Sequence, residues 1–191
     1  NPGLSRYGSF RIPRSLRALK GWQKLCPCFS RKPWAWAVWC AMAVQLIRAG
    51  YPLVGVGILV AVACYLRPGE LLTVTCGQLL KPTPHGTKFW TVLLFPQEQV
   101  RRSKTGESDE TVLLDNKDVL FLTPVFESLA ARPGSTRIID LDYPQFRRVF
   151  LAAADAIGMH SLLPHMCRHS GPSIDRAQRR RTLEEVARHG R

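Results

Sequence analysis

Acidic side chains are missing from the first 33 residues, which hold eight lysines and arginines. Residues 34–164 are nearly balanced, with twelve basic and eleven acidic residues, and residues 165–191 carry seven and three. The chain totals +13. A neutral middle with basic ends fits a packed body that a polyanion approaches from defined sides. Paired cysteines of the zinc-binding kind are missing too. Of the six cysteines, Cys26 and Cys28 are too close and stiffly joined to bridge easily, and no second pair completes a metal site. A chain of 191 residues needs no disulfide staples, so a reducing, intracellular setting is expected. No membrane span is expected either. The apolar run 51–66 has 16 residues, short of the roughly 20 a spanning helix requires, and includes Pro52, Gly55 and Gly57. Internal repeats, a signal peptide and an initiator methionine are absent. The chain opens on Asn1-Pro2-Gly3 and stops at Arg191 inside a helical pattern, as a piece of a longer protein would.

What is present divides into a basic segment, 1–33, and a body, 34–191. In the first, Arg6, Arg11, Arg14, Arg17, Lys20, Lys24, Arg31 and Lys32 alternate with Tyr7, Phe10, Leu16, Leu19 and Trp22, a linker-like pattern. The body opens with a helix from residue 34 to about 49, closed by Gly50. A second helix starts at Pro52 and is expected to stop at the breaker Pro68-Gly69. Both are apolar enough to form the core. Strands are expected at 89–95, 99–103 and 110–114, the last two joined by a glycine-containing hairpin loop around Lys104-Thr105-Gly106. Helices return at 117–122, at 124–131 capped by Thr123, and at 143–157 capped by Asp142. The last begins at Leu183 behind a Thr182/Glu185 capping box. The expected fold is mainly α with a small three-stranded antiparallel sheet, an α+β domain.

The most chemically suggestive stretch is Leu163-Pro164-His165-Met166-Cys167-Arg168-His169-Ser170-Gly171. Pro164 suits the first position of a helix, which places His165 in the first turn with Arg168 three residues on along the same face. Free N–H groups and the positive end of the dipole at such a terminus suit a phosphate. Zinc at His165, Cys167 and His169 is disfavoured, because alternate residues of a helix point in different directions.

Three motifs then fall in order: Arg67-Pro68-Gly69-Glu70-Leu71 after a buried helix, Lys104 at a hairpin tip, and His165-x-x-Arg168-His169-Ser170 opening a late helix. In that order and spacing, residues 34–191 resemble the catalytic domain of the tyrosine recombinases, the phage integrase family. The Arg-Pro-Gly-Glu wording and the ending Thr182-Leu183-Glu184-Glu185-Val186 look most like the versions carried by eukaryotic mobile elements. The resemblance implies DNA strand breakage and rejoining, in site-specific recombination or integration, through a covalent phosphotyrosine. It implies Arg67 and Arg168 as guanidinium forks on the phosphate, Lys104 as general acid, His165 as a phosphate or proton-transfer partner, and Glu70 as support for Arg67. It implies no metal and no nucleotide cofactor, since the covalent link conserves the bond energy. Partners would be double-stranded DNA and further copies of the protein in a tetrameric synapse, in the nucleus if the host is eukaryotic. Segment 1–33 would then be a linker or the end of an N-terminal DNA-binding domain. Arg101, Arg102, Arg179, Arg180 and Arg181 are further candidates for DNA contact.

The chain departs from the family pattern at its end. His189 stands about where the family has its next active-site residue, a His or a Trp, with a residue just past Arg191 as the alternative. The nucleophile is not in this chain: its tyrosines are Tyr7, Tyr51, Tyr65 and Tyr143, none of which follows the His-x-x-Arg motif, and Tyr65 reads as core. The expectation is a chain that binds DNA and does not cleave it. A non-catalytic DNA-binding relic is the first rival. A metal-dependent nuclease is the second, with Asp140-x-Asp142 as its candidate carboxylates, although Asp142 is better explained as a helix cap.

Overall fold

The computed structural model describes residues 33–94 and 110–190, together with two short strands, β1 (Ser5–Arg6) and β2 (Ser9–Phe10), that pair antiparallel. The chain separates into two compact units, Asn1–Arg31 and Lys32–Arg191. The second is mainly helical with one small antiparallel sheet.

Helix α1 (Trp36–Arg48) buries Trp39, Met42, Ala43 and Leu46, a stripe at helical spacing. It stops where Gly50 takes φ +87°, a conformation that costs a residue with a Cβ. Helix α2 (Pro52–Ala63) follows with Pro52 in its first turn. It is apolar on every side and accordingly buried from Ile58 onward, and it forms the centre of the unit. Helix α2 ends earlier than expected. Its C-cap is Cys64, and Tyr65 follows in the left-handed region at φ 55°. Pro68-Gly69 is therefore no terminator: Pro68 sits at the start of a new helix, α3 (Pro68–Thr73), with Arg67 as its N-cap. A proline lacks only an N–H that the first turn leaves unused anyway.

Among the described residues the sheet has three strands, two of them where the sequence places strands and one, at its edge, where it does not. Its order is β3 (Leu79–Leu80), β4 (Thr91–Leu94), β5 (Glu110–Leu113), all antiparallel, with Val92 opposite both Leu79 and Val112. The edge strand β3 is too short to show alternation in the sequence. The expected strand 99–103 lies outside the described residues. Gln78 ties the sheet to the preceding 3-10 turn, its amide donating to the Leu93 carbonyl at 2.8 Å.

A 3-10 helix (Lys117–Leu122) runs straight into α4 (Thr123–Ala130). Thr123 is consequently inside the helical run rather than capping it, and its hydroxyl donates to the Leu120 carbonyl at 2.8 Å. Helix α5 (Tyr143–Ala156) is capped as expected: Asp142 accepts from the Gln145 N–H at 2.7 Å, and Gln145 accepts from the Asp142 N–H at 2.9 Å. It packs Phe146 and Phe150 against the core. Helix α6 (Met166–Ala177) lies against α2, and α7 (Leu183–Gly190) starts at the expected capping box, with Thr182 and Glu185 bonded reciprocally at 2.7 and 3.2 Å. Gly171 permits the α2–α6 approach, since a Cβ there would sit 2.5 Å from the Tyr65 ring and closer still to the Val62 carbonyl. Among the described residues no helix is long and apolar enough to cross a membrane.

Candidate functional site

The turn between α2 and α3 and the start of α6 bring Arg67, Glu70 and Arg168 together. Glu70 is the hub. It lies in the first turn of α3, where a carboxylate is favoured by the dipole, and its side chain is only 3% exposed. One oxygen accepts from the Arg67 backbone N–H at 2.7 Å, and the other pairs with the Arg67 guanidinium. Arg168 approaches from α6, its Nη1 at 4.0 Å from Glu70 Oε2. Two guanidiniums thus flank one buried carboxylate. Arg67 stays 30% exposed and Arg168 17%, so both are partly open to solvent.

Arg168 is also held by main-chain carbonyls. Nη1 donates to the Tyr65 carbonyl at 2.8 Å and Nη2 to the Gly190 carbonyl at 2.5 Å. The Tyr65 carbonyl can face Arg168 because the left-handed turn at Tyr65 redirects the backbone away from the axis of α2. His165 is the N-cap of α6 rather than a residue of its first turn, and it is exposed. His169, one turn on, has its ring centroid 6.0 Å from that of His165.

His189, on α7, packs edge-on against Tyr65 at 4.6 Å between centroids, and its Nε2 lies 3.3 Å from the Ala63 carbonyl. A carbonyl only accepts, so this bond puts the proton on Nε2. Burial, and then the Arg181 charge, hold its pKa below the ordinary histidine value. Lys104, Arg101 and Arg102 lie outside the described residues.

The three consecutive arginines after α6 differ from one another. Arg179 is exposed, with φ 53°. Arg180 forks onto Asp118, at 2.5 and 3.0 Å, and also donates to Asn116 at 3.1 Å. Arg181 pairs with Asp115 and donates from Nε to Asp175 at 2.9 Å. The sequence grouped all three as DNA contacts. Here the charges of Arg180 and Arg181 are matched by carboxylates of their own fold. Burial acts to lower the Arg181 pKa, but Asp115 and Asp175 together outweigh it, and Asp118 raises that of Arg180.

Tyr65 is the residue whose position the sequence understated. Its ring is fully buried, and its hydroxyl donates to Asp175 Oδ2 at 2.7 Å. Burial, then the Asp175 bond, push its pKa far above the phenol range, so the ionised form is strongly disfavoured. Asp175 is itself 1% exposed. One signal was available: Arg168, Gly171 and Asp175 follow the i, i+3, i+7 spacing of a single helix face. Among the described residues no group of three or more His, Cys, Asp or Glu could hold a metal ion. Comparison with family models, with curated proteins and with solved structures found no match to this chain.

Proposed function

We propose that this chain is a tyrosine-recombinase-like DNA-binding domain, in which Arg67 and Arg168 grip one phosphate of the DNA backbone. The observation that carries the reading is the meeting of these two arginines, 101 residues apart in the chain, on the single buried carboxylate of Glu70. Guanidinium forks keep their charge at any working pH and match phosphate oxygens bidentately. A carboxylate fixed behind them orients the forks before the anion arrives, and preorganised charge of this kind is what a phosphoryl-transfer transition state needs. His165, exposed at the N-terminus of α6, lies three residues from Arg168 and adds a neutral or cationic donor to the same phosphate. Lys104 belongs to the proposal by its motif alone.

Strand breakage by this chemistry requires a tyrosine after the His-x-x-Arg motif, which this sequence does not contain. Tyr65 is excluded from that role by its burial and by the Asp175 bond. Of the other described tyrosines, Tyr51 precedes α2 and Tyr143 opens α5, both away from the His-x-x-Arg motif in sequence. The 191-residue chain should therefore bind duplex DNA with steep salt dependence and form no covalent adduct with a nicked suicide substrate. Fluorescence anisotropy across a salt series is the test. Arg67→Ala and Arg168→Ala should each lower the salt slope by about 1. Affinity that is indifferent to salt and to both substitutions would overturn the reading, and a covalent adduct would overturn its non-cleaving part.

A further inference from the structure

Tyr65 touches α6 at two places. Its carbonyl accepts from Arg168 Nη1 at 2.8 Å, and its hydroxyl donates to Asp175 at 2.7 Å, two turns further along the same helix. Between the two points the ring lies over Gly171, where no side chain could fit. The far end is fixed independently: Asp175 Oδ2 also accepts from Arg181 Nε at 2.9 Å, and Arg181 is paired in turn with Asp115 beside β5. His189 closes the remaining side of the ring. A tyrosine clamped at its hydroxyl cannot rotate about its backbone bonds without breaking the Asp175 bond. Its carbonyl is thereby aimed at Arg168.

We propose that Tyr65, strapped across α6 between Arg168 and Asp175, is a positioning residue that sets the direction of the Arg168 guanidinium. The proposal rests on the phosphate-binding reading of Arg168 for its functional consequence, but its geometric part can be measured without DNA. The left-handed backbone at Tyr65 has the same explanation. A conformation unfavourable to a bulky residue is retained because ring, hydroxyl and carbonyl all have a fixed partner.

The test uses the full 191-residue chain and two readouts. The first is the NMR signal of the Arg168 guanidinium, assigned by its loss in Arg168→Lys. Rotation about its C–N bonds should be slow in the parent and severalfold faster in Tyr65→Phe and Asp175→Ala. It should stay slow in Asp175→Asn, which keeps an acceptor for the hydroxyl. The second is duplex DNA binding, which Tyr65→Phe should weaken by about fivefold, and not at all in an Arg168→Ala background. Phe150→Leu, a core change at a ring that packs on Trp39 and Phe146, should move neither readout even though it lowers stability. The inference is overturned if Tyr65→Phe leaves the Arg168 signal unchanged, or weakens binding equally with and without Arg168. If Arg168→Ala binds DNA like the parent, the phosphate reading falls, and the NMR result still decides whether Tyr65 holds Arg168.

Discussion

Two pairs of arginines sit on this unit, and they are used in different ways. Arg67 and Arg168 converge on one carboxylate, Glu70, and Arg168 also donates to two neutral main-chain carbonyls. Arg180 and Arg181 meet three carboxylates, Asp118, Asp115 and Asp175. A carbonyl fixes a guanidinium without cancelling its charge, whereas a carboxylate does both. Two guanidiniums sharing one carboxylate leave the first pair oriented with positive charge to spare, while the second stitches the segment after α6 to the stretch after β5. Arginine runs in a basic sequence are not uniform reservoirs of positive charge.

The contrast predicts four outcomes. Glu70→Ala should have the largest effect, about 3 kcal/mol of lost stability in urea unfolding, because it strands two partly buried cations around an empty site. Gly171→Ala should cost about 2 kcal/mol by overpacking the α2–α6 contact. It should also disturb Arg168, whereas an alanine at Gly158, whose Cβ meets nothing within 4 Å, strains only its own backbone. Arg180→Ala should cost about 1 kcal/mol and leave the salt slope of DNA binding unchanged, the reverse of Arg168→Ala. A slope change in Arg180→Ala would erase the distinction between the two pairs. The smallest effect is the pH response of His189. Its folded pKa lies below the ordinary 6.5, so the unfolded chain takes up the proton first. Its contribution to stability is full above about pH 6.5 and falls away as the pH drops below that value. Unfolding measured at pH 7.5 and 5.5 should show this loss, and His189→Gln should remove it.

The sequence made the helices legible where apolar periodicity and a cap coincided, as at α1, α5 and α7. It misled at Pro68-Gly69, because a proline stops one helix and starts another equally well, and only the turn at Tyr65 decides between them. The membership of the sheet was partly hidden, since a two-residue strand such as β3 carries no alternation. At the site, the meeting of Arg67, Glu70 and Arg168 was implied by the family resemblance, not by any local pattern. The pairing of Arg180 with Asp118 and of Arg181 with Asp115 was not legible. Ion pairs that span 62 and 66 residues leave no local pattern. Tyr65 was legible as core but not as a strap, because its bond to Asp175 crosses 110 residues.

The second unit is entered at Trp34, whose backbone N–H is held at 3.0 Å by the hydroxyl of Ser170, a fully buried residue two positions after Arg168. Mechanical tension arriving along the chain from the basic N-terminal segment would thus load α6 directly, before any of it reached the sheet. In a pulling experiment, the first rupture on that side should be the Trp34–Ser170 bond, and the helix bearing Arg168 would be the first element to register the force.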